Sequence, residues 1–152
     1  PVFEETDSSA EDRRRGVYFA DYARRLKELV SMPVALTGGF RSAADMEEAV
    51  SEGLTDFVGI GRPLALIPDL PQRILDGAGR RRIELPRIST RVKALDEALG
   101  GVLVIGWYEM QMHRLALGGY ASAQGNGLAA LAFTVRRHGL GALMPRRVTR
   151  RG

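Results

Sequence analysis

Two short runs that end in glycine carry the residues best suited to chemistry. One is Val34-Ala-Leu-Thr-Gly-Gly-Phe-Arg41; the other, about twenty residues on, is Phe57-Val-Gly-Ile-Gly-Arg-Pro63. A glycine without Cβ lets a ligand approach the backbone closely and leaves its N–H free to meet an anion. The guanidinium of Arg62 adds a planar fork that matches a phosphate in two-point fashion. Gly38, Gly39, Gly61 and Arg62 are therefore candidates for a phosphate cradle.

Such a cradle requires both turns to leave the same end of a sheet. Between the runs lies Ser42-Ala-Ala-Asp-Met-Glu-Glu-Ala-Val-Ser-Glu-Gly53, which reads as one amphipathic helix. Strand, turn, helix, strand in that order describes a βαβ unit with parallel strands. Ligands of α/β folds sit at the C-terminal ends of such strands. Ser42 with Asp45 opens a capping box, Met46, Ala49 and Val50 form the buried stripe, and Gly53 is the stop.

The other elements follow from period and punctuation. A helix is expected from about Ala10 to Val30, with Gly16 weakening its first turns and Phe19, Tyr22, Ala23, Leu26, Leu29 and Val30 on one face. Met32-Pro33 ends it, and Val34–Leu36 and Asp56–Ile60 are the strands. Pro71–Leu75 is a short helix closed by Asp76-Gly-Ala-Gly79. Val92–Leu99 is expected to be a helix that Gly100-Gly101 ends. A second is expected over Val102–Leu117, with Leu103, Trp107, Met110 and Leu117 on one flank and Gly118-Gly119 as the stop. Trp107, Met110 and Met112 read as packing residues. A last helix over Leu128–His138 buries Leu128, Leu131, Ala132 and Val135, and the end, Pro145–Gly152, is expected to fray.

Composition narrows the class. With 152 residues, 45% hydrophobic and 26% charged, the chain is globular, yet too short for a complete eight-stranded β/α barrel. There is no cysteine, which excludes disulfides and thiolate metal sites, and His113 and His138 lack clustered ligand spacing. No apolar run reaches the length of a membrane span and no signal sequence opens the chain, so a cytoplasmic location is expected. The initial proline points to a piece of a longer product. Net charge is +4, divided into −5 over residues 1–79 (9 Lys+Arg against 14 Asp+Glu) and +9 over 80–152 (13 against 4). Arginine outnumbers lysine throughout, twenty to two, so a uniform bias explains the basic half and nucleic-acid binding is not the favoured reading.

Tyr18-Phe-Ala-Asp-Tyr-Ala23, Pro33-Val-Ala-Leu-Thr-Gly-Gly-Phe-Arg41, Gly53-Leu-Thr-Asp-Phe-Val-Gly-Ile-Gly-Arg-Pro63 and Pro68-Asp-Leu70 together resemble the old yellow enzyme family of FMN-dependent NAD(P)H:flavin oxidoreductases and ene-reductases. The resemblance covers about residues 10–75. It implies an α/β chain forming the C-terminal part of a TIM (β/α)8 barrel over residues 1–79, then a basic, mostly helical extension over 80–152. Gly106-Trp-Tyr-Glu-Met-Gln-Met-His-Arg-Leu-Ala-Leu-Gly-Gly119 looks more loosely like an extension found in some members. The resemblance places an FMN phosphate between the last two strand loops. Gly39 and Gly61 would donate backbone N–H groups, Gly38 would free the turn, Arg62 would carry charge and Phe40 would lie near the flavin ring edge. NAD(P)H would be the reductant and a small electron-poor alkene the acceptor.

The family's acid and orienting groups, a His/His or His/Asn pair with a tyrosine, belong to its first six strands. On this reading they lie upstream of Pro1, and no catalytic residue is assigned to this chain. Two other readings remain open. One is a non-enzymatic partial barrel that forms a homo-oligomer or packs on a complementary barrel portion through open sheet edges. The other is a barrel that binds a different phosphorylated ligand.

Overall fold

The computed structural model describes residues 19–77 and 82–143. The expected helix start at Ala10–Gly16, Arg80-Arg81 and the tail Pro145–Gly152 lie outside the described residues. The chain divides into two compact units, Pro1–Glu84 and Leu85–Gly152, each with its own core.

In the first unit the order is α1 (Ala20–Leu29), β1 (Ala35–Thr37), α2 (Ala43–Ser51), β2 (Phe57–Gly59) and α3 (Leu70–Leu75). The two strands pair in parallel, with Ala35 opposite Phe57, Leu36 opposite Val58 and Thr37 opposite Gly59. The expected βαβ unit is therefore present. Its core joins Ala20 and Ala23 of α1, Leu36 of β1, Phe40, Met46 and Ala49 of α2, and Leu54, with Val58, Ile60 and Ile74 packed against it. Removing such apolar area from water is what holds short strands of three residues together.

The local chemistry explains the boundaries. Ser42 Oγ accepts from Asp45 N at 3.2 Å and caps α2. At the other end Gly53 takes φ +70, Gly53 N donates to Val50 O and Leu54 N to Ala49 O. This is the paired closure that only a residue at ease with positive φ makes cheaply. At the start of the sheet, Asp56 accepts from Val34 N and from Lys27 Nζ, both at 2.8 Å, and thereby ties β1, β2 and α1 together. Thr55, fully buried, donates to Val34 O at 2.8 Å.

Several expected faces are corrected. Val50 is half exposed rather than buried, because the α2 stripe turns toward Ala43, Met46 and Ala49. On α1, Ala20 and Ala23 face the core while Phe19, Tyr22 and Leu29 are exposed. Small side chains let α1 approach the sheet closely, and the larger ones fall on the outer side. Ala35 and Phe57 are exposed as well, so each strand buries one face instead of two.

The second unit, among the described residues, is helical: α4 (Lys93–Ala116), α5 (Gly127–His138) and a 3-10 turn over Leu140–Leu143. The expected break at Gly100-Gly101 does not occur, and α4 is one helix of 24 residues. Neither glycine has positive φ. Each costs a helix interior about 1 kcal/mol relative to alanine, a cost that packing of the following turns offsets. Gly118, at φ +78, closes α4 as expected.

Leu103 and Trp107 are buried, but Leu117 and Met112 are exposed. The buried face of α5 is also shifted from the expected one: Gly127, Ala130 and Thr134 point inward, whereas Leu128 and Ala132 are exposed. Helix contact sets this face. A Cβ on Gly106 would overlap Thr134 Oγ1 and come within 3.3 Å of Ala130 O. The two helices therefore touch through small residues, which amphipathic period alone does not reveal.

Candidate functional site

The parallel register sets the site. Thr37 lies opposite Gly59, so the chain leaves both strands side by side, into Gly38-Gly39 on one and Ile60-Gly61-Arg62 on the other. Gly38 and Gly39 have φ of +119° and +85°, conformations that side-chain-bearing residues rarely adopt. Gly59 is required for a separate reason. A Cβ there would overlap Thr37 Oγ1 and lie 2.9 Å from Thr37 Cβ, so this glycine permits the two strands to close at their C-terminal ends. Sequence reasoning treated Gly59 only as part of a motif, and its function is packing.

Gly61 differs. It has no positive φ, and a Cβ added to it meets nothing within 4 Å. The fold therefore does not ask for glycine at this position, and space stands open beside it. Outside the strand ladder, and among the described residues, the backbone N–H groups of Gly39, Gly61 and Arg62 donate no hydrogen bond. Arg62 is exposed and forms no ion pair among the described residues. Orphan N–H donors at two adjacent turns, open space and a free guanidinium fit a phosphate group.

Phe40 is placed differently from its four companions. It is 3% exposed and belongs to the apolar core with Leu36 and Met46. Its burial anchors the loop from within. One residue missed at the sequence level stands beside this loop: Arg82, whose Nη1 lies 3.9 Å from Asp45 Oδ2 at the start of α2. Next to it, Ile83 N donates to Arg41 O at 2.6 Å, so the 82–83 segment runs along the loop that follows Gly39. Distance in sequence hid it, since Arg82 lies 37 residues beyond Asp45.

Hydrogen bonding from Lys27 and then Val34 N holds the Asp56 carboxyl below its ordinary range, at the opposite end of the strands. Asp69 is lowered by its hydrogen bond from Arg73. His113 and His138 lie in the second unit, His138 Nε2 at 2.9 Å from Glu109 Oε1 and His113 tilted against Phe133. No group of three metal-ligating side chains occurs among the described residues, and none of their helices is long and apolar enough to cross a membrane.

No family model matches the chain, and no solved structure matches it significantly. Curated proteins match part of it. NADH-dependent flavin oxidoreductase iliE of Hypocrea jecorina (strain QM6a) is 39% identical over 69 residues, 45% of this chain and 17% of that one. Bilirubin reductase of Mediterraneibacter gnavus (strain CC55_001C) is 34% identical over 64 residues, 42% of this chain and 10% of that one. NADH oxidase of Thermoanaerobacter brockii is 34% identical over 55 residues, 36% and 8%. The matched stretch is thus a small part of each relative's length. Over that stretch the chain is related to the old yellow enzyme-like family of flavin oxidoreductases.

Proposed function

We propose that the first unit is the flavin-phosphate anchor of an NADH-dependent flavin oxidoreductase and the C-terminal part of its β/α barrel. The observation that carries this reading is the pair of adjacent turns with N–H donors left open at Gly39, Gly61 and Arg62. The names of the partial relatives supply the flavin and NADH; the cradle supplies the reason for FMN, the flavin with a terminal phosphate.

In this reading Gly39 and Gly61 donate N–H groups to phosphate oxygens, and Gly38 gives the turn its positive φ. Arg62 offsets the phosphate charge, while Phe40 fixes the loop from the core side. The N-terminus of α2, whose cap Ser42 stands three residues after Gly39, adds positive potential. A flavin held by these residues would supply hydride transfer from the nicotinamide to an electron-poor alkene. This chain holds the cofactor and contributes no acid or base to that step, which groups elsewhere in the intact barrel would supply. Cytoplasmic location and a small-molecule acceptor belong to the same proposal.

The test compares FMN with riboflavin, which lacks the phosphate, on the full chain and on Arg62→Ala. Loss of a charge-assisted hydrogen bond costs about 1.5–3 kcal/mol, or roughly ten- to a hundredfold in Kd. FMN affinity should fall by that factor in R62A while riboflavin affinity stays put. Equal FMN affinity in both proteins would refute the phosphate assignment.

A second reading is favoured by the exposed Leu29, Met32, Phe57 and Leu75 together with a two-stranded sheet. It makes the unit a module that packs on a complementary barrel portion or a second copy. Light scattering without flavin tests it: a tight oligomer supports the reading, and a monomer at high concentration contradicts it.

A further inference from the structure

The second unit contains a cleft of about 480 Å³ that the flavin reading does not use. Its walls are held by part-buried polar links. Asp96 accepts from Ser89 Oγ at 2.6 Å, Thr90 N at 2.8 Å and Thr90 Oγ1 at 2.7 Å, which fixes the turn over residues 89–91. Gln111, fully buried, accepts from Ser122 N at 2.7 Å and pins the 120–126 loop to α4. Gly127 N donates to Ser89 O at 2.9 Å, and a Cβ on Gly127 would lie 2.5–2.8 Å from Ser89 and Thr90 backbone atoms. The turn is therefore locked to the start of α5 by an approach that only glycine allows.

Arg91 from the turn and Arg114 from α4 line this cleft, and no carboxylate does. Neither guanidinium has an ion pair or side-chain hydrogen bond among the described residues. Arg91 has φ +66, the sole positive value of a non-glycine residue among those described. The chain thus keeps an arginine where the backbone favours glycine. Asp96 lies behind the turn with all its hydrogen bonds directed into it, and Arg87 faces it. The Asp96 charge is partly answered on that side. Ser122 and Asn126 add polar edges, and Met110 and Leu128 supply an apolar wall. The volume is that of a small-molecule site.

We propose that this cleft binds a small phosphate monoester carrying a compact apolar body. Two guanidinium groups from separate walls match a dianion better than a monocarboxylate, since its three terminal oxygens and double charge can serve two forks at once. Met110 and Leu128 cover the organic part. The site is independent of the flavin cradle, because every residue in it belongs to the second unit.

Phenyl phosphate is the probe, titrated into the full chain while the amide resonances of Gly125, Gly127 and Leu128 are followed by NMR. Saturable shifts there are expected, tighter than with inorganic phosphate, and unchanged in R62A. Arg91→Gly and Arg114→Gln should each weaken binding roughly tenfold or more. Arg91→Gly also relieves the positive φ and should not lower thermal stability, so lost binding in it cannot be ascribed to unfolding. No saturable shift, or shifts that persist in both variants, would overturn the proposal. Loss of FMN binding in R62A with these shifts intact would leave each site standing on its own result.

Discussion

Gly59 and Gly61 sit two residues apart, and the structure assigns them opposite reasons for being glycine. At Gly59 an added Cβ overlaps Thr37 Oγ1 and reaches 2.9 Å from Thr37 Cβ, so the whole Thr37 side chain must move. Forcing a methyl into such a contact costs about 1–3 kcal/mol. For a unit of this size that lowers Tm by several degrees. At Gly61 the same Cβ meets nothing within 4 Å and φ is not positive. Gly61→Ala should therefore be neutral or stabilise by about 0.4–1 kcal/mol, because alanine restricts the unfolded chain. The open space at Gly61 is where a phosphate would approach the backbone, so the same methyl should weaken FMN binding roughly tenfold or more. Urea unfolding followed by circular dichroism gives the first pair of values, and FMN and riboflavin titrations give the second. G61A as destabilised as G59A would refute the structural half of the reasoning. G61A with unchanged FMN affinity would refute the functional half.

Other expectations follow from the same contacts. The hydrogen bonds from Lys27 and Val34 hold the Asp56 carboxyl below its ordinary value of 3.8. Their stabilisation is thus fully present above about pH 4 and is lost as pH falls through the lower folded value. Asp56→Asn should flatten the acid limb of the stability curve, and an identical limb in both proteins would contradict this. Gly106→Ala should destabilise the second unit by about 1–3 kcal/mol, with Thr134→Ala in the same chain recovering part of the loss; a simple sum of the two effects would deny the contact. Gly100→Ala and Gly101→Ala should each stabilise by up to about 1 kcal/mol in thermal unfolding, since both lie inside one helix with open space around them. Destabilisation there would restore the two-helix reading.

The parts legible in the sequence were those set by backbone chemistry. Gly53 and Gly118 end helices because positive φ closes them, and each stands where punctuation placed it. The parallel pair was legible from two apolar runs around one amphipathic helix. What failed depends on partners far away in sequence. Gly100-Gly101 reads as a break, but propensity is a weak prior that a 24-residue helix overrides. The inward face of α5 is chosen by Gly106, Ala130 and Thr134, small residues that carry little hydrophobic signal. Phe40 packs inside with Leu36 and Met46, a burial that the loop's own sequence does not show. Arg82 reaches the α2 start only through a chain path that no local pattern encodes.

The central claim is that two neighbouring turns present their free amides to one phosphate, and the amides themselves report on it. In a ¹⁵N-labelled sample, FMN should shift the resonances of Gly38, Gly39, Gly61 and Arg62 together and saturably, while riboflavin at the same concentration leaves them in place. Shifts confined to one turn, or equal shifts with both flavins, would contradict the account.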